Sequence, residues 1–151
     1  MIDENHLRFV KLFKAEPHVF ISKDNPLVGK DIVTIQDLEE YPCLSFEQGT
    51  HNSFYFSEEI LSTLPKKKTI HVSDRATLFN LLIGLNGYTI CTGILNSNLN
   101  GDNIVSIPLD TTEDILIGYI VNPKAVLSNF AMEYIQELKA LIQNDGYTIL
   151  K

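Results

Sequence analysis

The sequence predicts an α/β fold, a mainly parallel sheet flanked by helices. Short β-branched or aromatic runs alternate along the chain with helical stretches, the pattern of βαβ units. With 151 residues, 44% of them hydrophobic, the chain carries one domain's worth of core. A domain of that size buries about 69% of its unfolded surface and needs no metal or disulfide. At 21% charged residues the composition is also too apolar for intrinsic disorder.

The first strand reads His18-Val19-Phe20-Ile21-Ser22, preceded by Pro17 and ended by the turn-rich Lys23-Asp24-Asn25-Pro26. Residues 34–40 form a short helix with Thr34 as N-cap and Asp37 at the third helical position. Pro42 forbids its continuation, and Cys43-Leu44-Ser45-Phe46 is the second strand. A polar turn, Gln48-Gly49-Thr50-His51-Asn52, leads into a stretch where Phe54, Phe56, Ile60, Leu61 and Leu64 make an imperfect helical stripe. Thr69-Ile70-His71-Val72 is the third strand.

Ser73 or Asp74 caps the next helix. Ala76, Phe79, Leu82, Ile83 and Asn86 mark one face of it; Leu78, Leu81 and Leu85 carry the apolar arc nearly all round, which predicts burial. Gly87 stands where a left-handed residue ends a helix. Tyr88-Thr89-Ile90-Cys91-Thr92 is the fourth strand, and 96–103, rich in Asn and Asp, a loop. Two more strands follow, 104–107 and 115–121. Ser128 caps a final amphipathic helix whose apolar face is Phe130, Met132, Tyr134, Ile135, Leu138, Leu141 and Ile142; Asn144-Asp145-Gly146 ends it.

Charge and composition then exclude several functions. Twelve Lys+Arg against nineteen Asp+Glu give 12 − 19 = −7, the wrong sign for a duplex-binding surface. The one basic run, Lys66-Lys67-Lys68, follows a proline and reads as a solvated loop. No apolar stretch reaches the roughly 18 residues of a membrane span. The first residues lack the basic-then-apolar layout of a secretory signal. Two cysteines, both in strand-like runs, make no disulfide framework, so the expected compartment is the reducing cytoplasm.

In open α/β sheets, ligands bind outside the carboxyl ends of the strands. Those ends carry Gln48, Gly49, Thr50, His51 and Asn52; Ser73, Asp74 and Arg75; and Thr92 with Gly93. Hydroxyls and free backbone N–H groups there suit a carboxylate, sulfate or phosphate. Ordinary helix capping accounts for the same residues equally well.

The order Glu16-Pro17-His18-Val19-Phe20-Ile21, Asn25-Pro26-Leu27, Ile35-Gln36-Asp37-Leu38, Tyr41-Pro42 resembles the second half of the effector-binding domain of LysR-type transcriptional regulators. Val72-Ser73-Asp74, the stretch from Leu81 to Ile90, Ile107-Pro108-Leu109 and the closing helix continue the resemblance over roughly residues 10 to 143. It implies a type-2 periplasmic-binding-protein-like fold, present in part, with a small effector held between two α/β subdomains. Residues 1–16 become an N-terminal crossover segment, 17–122 the core of the second subdomain with its return strand, and 123–151 the C-terminal helix and tail. The family's helix-turn-helix is expected to be absent from this chain. The resemblance further implies that Gln48, Gly49, Thr50, His51, Asn52, Ser73, Asp74, Thr92 and Gly93 border the effector. Thr50 matches a hydroxyl residue that holds an anion in relatives regulating sulfur and cysteine metabolism.

The function so implied is sensing of a small anionic or amino-acid-like metabolite to control transcription. Its partners are the effector, a second copy through effector domains, and DNA only through the missing domain. No membrane, cofactor, metal or catalytic residue is expected. Two alternatives stand beside this: a solute-binding protein of the same fold, and a small α/β enzyme. For an enzyme, Cys43, Cys91, His51 and His71 lack any spacing that fixes a thiol–imidazole pair. His51, His71 and Asp74 match no structural zinc pattern. Strand position makes His71 a satisfied, half-buried histidine; Arg75, on a helix, reads as a surface residue, with a fork onto an effector carboxylate as its alternative role.

Overall fold

A computed structural model describes residues 7–47, 66–96, 98 and 101–150. The turn at 48–52 and the stripe at 53–64 lie outside them. The chain divides into two compact units, one of Glu16–Glu113 and one of Met1–Ala15 with Asp114–Lys151.

The larger unit is built on a five-stranded sheet. Its strands are β2 (His18–Ser22), β3 (Cys43–Phe46), β4 (Thr69–Val72), β5 (Tyr88–Cys91) and β6 (Ile104–Pro108), in the order β4-β3-β5-β2-β6. Pairings β3–β4 and β3–β5 are parallel, whereas β2 pairs antiparallel with both β5 and β6. The sheet is therefore mixed, and the expected parallel character holds for its β4-β3-β5 half alone. Strand β2 alone runs the other way; β6 has the direction of β3, β4 and β5 but pairs only with the reversed β2. Strand alternation on its own does not reveal that direction.

Period-two alternation sends successive side chains to opposite faces. Val19 and Ile21 of β2 join Leu38, Cys43, Tyr88, Ile90 and Ile107 in one core. Phe20, between them, joins Leu44, Val72 and Ile104 in another, with Leu78 and Leu82 of helix α2 (Arg75–Gly84). A short helix α1 (Ile35–Leu38) supplies Leu38 to the first core. Both faces are thus covered, as a sheet with parallel pairs requires.

Helix α1 carries a full capping box. The Thr34 hydroxyl accepts from the Asp37 N–H at 3.3 Å, and the Asp37 carboxylate accepts from the Thr34 N–H at 2.9 Å. Lys30 Nζ donates to the other carboxylate oxygen at 2.6 Å. The Lys30 hydrogen bond first, then the Thr34 N–H, hold the Asp37 carboxyl down to about 2. A carboxyl depressed on folding stabilises the fold above its unfolded pKa, and that contribution fades as pH falls toward the folded value. The melting-temperature gap between wild type and Asp37→Asn should therefore be widest near pH 6 and close between about pH 4 and pH 2. A gap that stays constant across that window would rule out the carboxylate as the source.

Helix α2 ends in a Schellman arrangement. Gly87 N–H donates to Leu82 O at 3.0 Å and Asn86 N–H to Ile83 O at 3.4 Å. The left-handed residue is Asn86, with φ 52°, not Gly87 as expected. Gly87 is needed for closeness instead: a Cβ there would meet the Pro42 carbonyl oxygen at 2.8 Å and a Leu44 methyl at 3.2 Å. The approach is drawn tight by Tyr88 N–H donating to that same carbonyl at 3.0 Å. The helix is also less buried than its apolar arc predicted. Leu78 and Leu82 are buried, while Ile83 and Leu85 are exposed.

The smaller unit pairs β1 (Arg8–Ala15) antiparallel with β7 (Ile115–Val121), the register shifting between Lys11 and Phe13. Strand β1 falls within the N-terminal crossover segment, residues 1–16, that the resemblance implies, and Lys11 and Lys14 interrupt its apolar run. Helix α3 (Asn129–Asn144) is capped by Ser128, whose hydroxyl accepts from Ala131 N–H at 3.2 Å. Leu12, Phe13, Ala15 and Ile142 form the core, with Leu138, Ile117 and Tyr147 against it. Of the expected apolar face of α3, Ile135, Leu138 and Ile142 point inward; Phe130, Met132, Tyr134 and Leu141 are exposed. Inward positions Ala131, Ile135, Leu138 and Ile142 keep the spacing of one helical face, and the wider apolar set exceeds what a two-stranded sheet covers.

Candidate functional site

Because β3, β4 and β5 run parallel, their carboxyl ends share one edge of the larger unit's sheet. Phe46 ends β3, Val72 ends β4 and Cys91 ends β5. Strand β2 runs oppositely, so its first residue, His18, reaches the same edge opposite Cys91. Four of the nine expected site residues are described, and all four lie here: Ser73 and Asp74 after β4, Thr92 and Gly93 after β5. Gln48, Gly49, Thr50, His51 and Asn52 lie outside the described residues.

Asp74 is the N-cap of α2 and accepts from Thr77 N–H at 2.8 Å. That backbone bond, with further help from the Thr77 side chain and the Ala76 N–H, holds its carboxyl below the ordinary range. A negative charge of the chain's own therefore already sits at this helix N-terminus. Arg75 follows it and places its guanidinium carbon 5.9 Å from the centre of the Phe46 ring, a cation–π contact.

Gly93 has φ 78°, and a Cβ there would come within 2.5 Å of the His18 ring. Its carbonyl accepts from the Ser106 hydroxyl at 3.3 Å. His18 Nδ1 lies 2.9 Å from the Glu16 carbonyl oxygen, which fixes that nitrogen as the donor. The Thr92 hydroxyl accepts a long 3.5 Å bond from Ile94 N–H. One residue back from the edge, His71 is exposed rather than half-buried, and its Nδ1 lies 2.9 Å from the Ser45 hydroxyl on the neighbouring strand.

Cys91 borders the same edge. Burial, the largest influence, pushes its thiol up to about 11, against smaller opposing pulls from the Gly93 backbone and the Arg75 charge. At pH 8 only about one such thiol in a thousand is ionised. Cys91 in the native chain should accordingly react with a disulfide reagent at least about a hundredfold more slowly than in denaturant. Rapid native labelling of Cys91, read by mass spectrometry, would contradict that. Among the described residues, no group of three or more His, Cys, Asp or Glu side chains could hold a metal ion.

Sequence reading missed His18, Phe46 and Ser106. His18 belongs to this edge only because β2 is antiparallel, and a strand's direction leaves no local signature.

No family model and no curated protein sequence matches the chain. Solved structures do. The effector-binding domain of QuiR in complex with shikimate aligns with 98% of this chain and 70% of its own, at TM-score 0.67 and 17% identity. The fold is that of LysR-family effector-binding domains. The regulatory domain of MetR, a LysR-family regulator from N. meningitidis, aligns over 99% of this chain and 71% of its own, at TM-score 0.69 and 13% identity. HinK, a LysR-family regulator from Pseudomonas aeruginosa, matches at TM-score 0.70 and 13% identity over 94% of this chain and 50% of its own. The LysR-type effector-domain fold is periplasmic-binding-protein-like, and the chain spans between 50% and 71% of these structures' own length. No helix among the described residues is long and apolar enough to cross a membrane.

Proposed function

We propose that this chain is the small-molecule effector-sensing part of a LysR-type transcriptional regulator in the cytoplasm. It binds a small anionic or amino-acid-like metabolite and catalyses no reaction. The observation that carries the reading is the carboxyl edge of a LysR-type sheet, lined by Ser73, Asp74, Arg75, Thr92 and Gly93. QuiR, a structural relative, was solved with shikimate in its effector-binding domain. Gln48, Gly49, Thr50, His51 and Asn52 join the proposed site through the family resemblance alone. In the full regulator, self-association runs through effector domains and DNA contact through a helix-turn-helix domain.

The test is an amide-resolved NMR titration of the chain with sulfate, acetate, glutamate, serine and shikimate. At least one should shift the amides of Ser73, Asp74, Thr92 or Gly93 in a saturable way and leave the titration unchanged over hours. Saturable shifts confined to residues away from this edge, or conversion of the ligand, would sink the reading.

This 151-residue chain by itself should give no sequence-selective gel shift at physiological salt. A net charge of −7 repels the phosphate backbone. Its two long described helices carry one cation each, Arg75 in α2 and Lys139 in α3. A selective shift by the chain alone would overturn the assignment of DNA contact to another domain.

A further inference from the structure

The basic run Lys66-Lys67-Lys68 is irregular, with Lys67 and Lys68 exposed as its composition suggested and Lys66 half-buried. It borders a cavity of about 150 Å³ at the amino edge of the sheet, where β3, β4 and β5 begin. The carboxyl-edge site lies a four-residue strand away, about 13 Å.

The floor of the cavity is apolar. Leu38 is 1% exposed and Tyr88 5%, and Ile35 and Tyr41 complete the walls. The rim is cationic, with three lysines against Glu39. Lys67 Nζ donates to the Glu39 carboxylate at 2.5 Å, so that pair neutralises itself. Lys68 Nζ spends one of its three donors on the Glu40 carbonyl at 2.9 Å. Lys66 is half-buried and makes no ion pair among the described residues. The Glu40 charge also acts on Lys67, so three lysines against two glutamates leave 3 − 2 = +1 over an apolar floor, in a chain whose overall charge is −7.

Each feature limits the occupant. A cavity of about this volume is large enough for a benzene ring and too small for a nucleotide. Apolar walls disfavour a bare sulfate or phosphate, which would lose hydration without partners on most sides. A ring or branched chain that carries one carboxylate fits both halves. Its apolar part covers Leu38, Tyr41 and Tyr88, and its carboxylate meets Lys66 and the unused donors of Lys68. We propose that this amino-edge cavity is a second small-molecule site, for a compact aromatic or branched monocarboxylate.

Benzoate is the probe, with benzyl alcohol as its neutral counterpart, each titrated into the full 151-residue chain by amide-resolved NMR. Benzoate should saturate at a concentration on the order of millimolar, shifting the amides of Leu38, Tyr41 and Tyr88. Benzyl alcohol should bind about tenfold more weakly, as for loss of a charge-assisted hydrogen bond. Lys66→Gln should weaken benzoate by about the same factor. Lys139→Gln, the same charge change on α3, should leave it alone. Melting curves confirm that both variants fold. Equal losses in the two variants would reduce the effect to bulk charge and overturn the proposal. So would absence of saturable shifts, or shifts at Ser73 and Thr92 instead, an outcome that favours the carboxyl-edge site alone.

Discussion

Gly118→Val is expected to unfold the smaller unit while the larger one stays folded. Gly118 sits in β7 opposite Lys11 of β1. A Cβ at this position would collide with the Val10 carbonyl oxygen and come within 2.7 Å of the Phe9 ring. The ring could swing aside, since Phe9 is already 39% exposed. The carbonyl belongs to the paired strand's backbone and could yield only if the strands part. Two-stranded sheets are marginal in water, so little reserve exists to absorb the separation. Overpacking typically costs about 1–3 kcal/mol, and more where backbone must move. About 3 kcal/mol or more is expected for Val and a smaller loss for Ala. Hydrogen exchange gives the readout: amides of β1 and β7 should lose protection in the valine variant, and those of β2 and β5 should keep it. Protected β1 and β7 amides in Gly118→Val would show that the strands accommodate the side chain.

That prediction concerns the part of the fold that was hardest to see in the sequence. Strand β1 carries cations at Lys11 and Lys14, and Lys14 pairs with Asp114 across the unit. Its apolar residues are interrupted, and its partner lies about a hundred residues away. Nothing local announces such a pairing. The larger unit was far more legible, because its signals are local: Thr34 and Asp37 at capping-box spacing, Pro42 as a stop, and β-branched runs at β2, β3, β4 and β5. Asp74 as N-cap and Gly146 as the left-handed end of α3, with φ 88°, also follow from residue type at a helix end.

The candidate site divides along the same line. Ser73, Asp74, Thr92 and Gly93 were legible because they follow parallel strands, and the parallel half of the sheet is as expected. His18 and Ser106 were not, because both sit on the antiparallel half. The Lys66 cavity escaped notice for a different reason. Its floor comes from α1, 28 residues before the lysines (66 − 38), and β5, 20 after them (88 − 68), and only tertiary packing brings an apolar floor beneath a basic run.

Helix α2 offers the sharpest separation between apolar pattern and actual burial. Leu82 and Ile83 are adjacent, both apolar, and indistinguishable by composition. The structure buries Leu82 completely, at 0% exposure, among Phe20, Leu44, Val72, Leu78 and Ile104. Ile83 is 40% exposed. Leu82→Ala removes buried methyl groups from between the helix and the sheet, where the strands cannot collapse inward to refill the space. Substitutions of this kind cost about 2–5 kcal/mol, at the upper end where the cavity persists. About 3–4 kcal/mol is expected here. Ile83→Ala loses little burial and gains helix propensity, so about 1 kcal/mol or less is expected. Urea denaturation with amide protection in β2 and β3 as the readout separates this unit from the smaller one, so that each midpoint belongs to one cooperative transition. The slope should stay unchanged, marking an effect on stability rather than on the unfolded ensemble. Equal losses for the two variants would mean that α2 is buried all round, as its apolar arc suggested, and would overturn the one-sided packing described here.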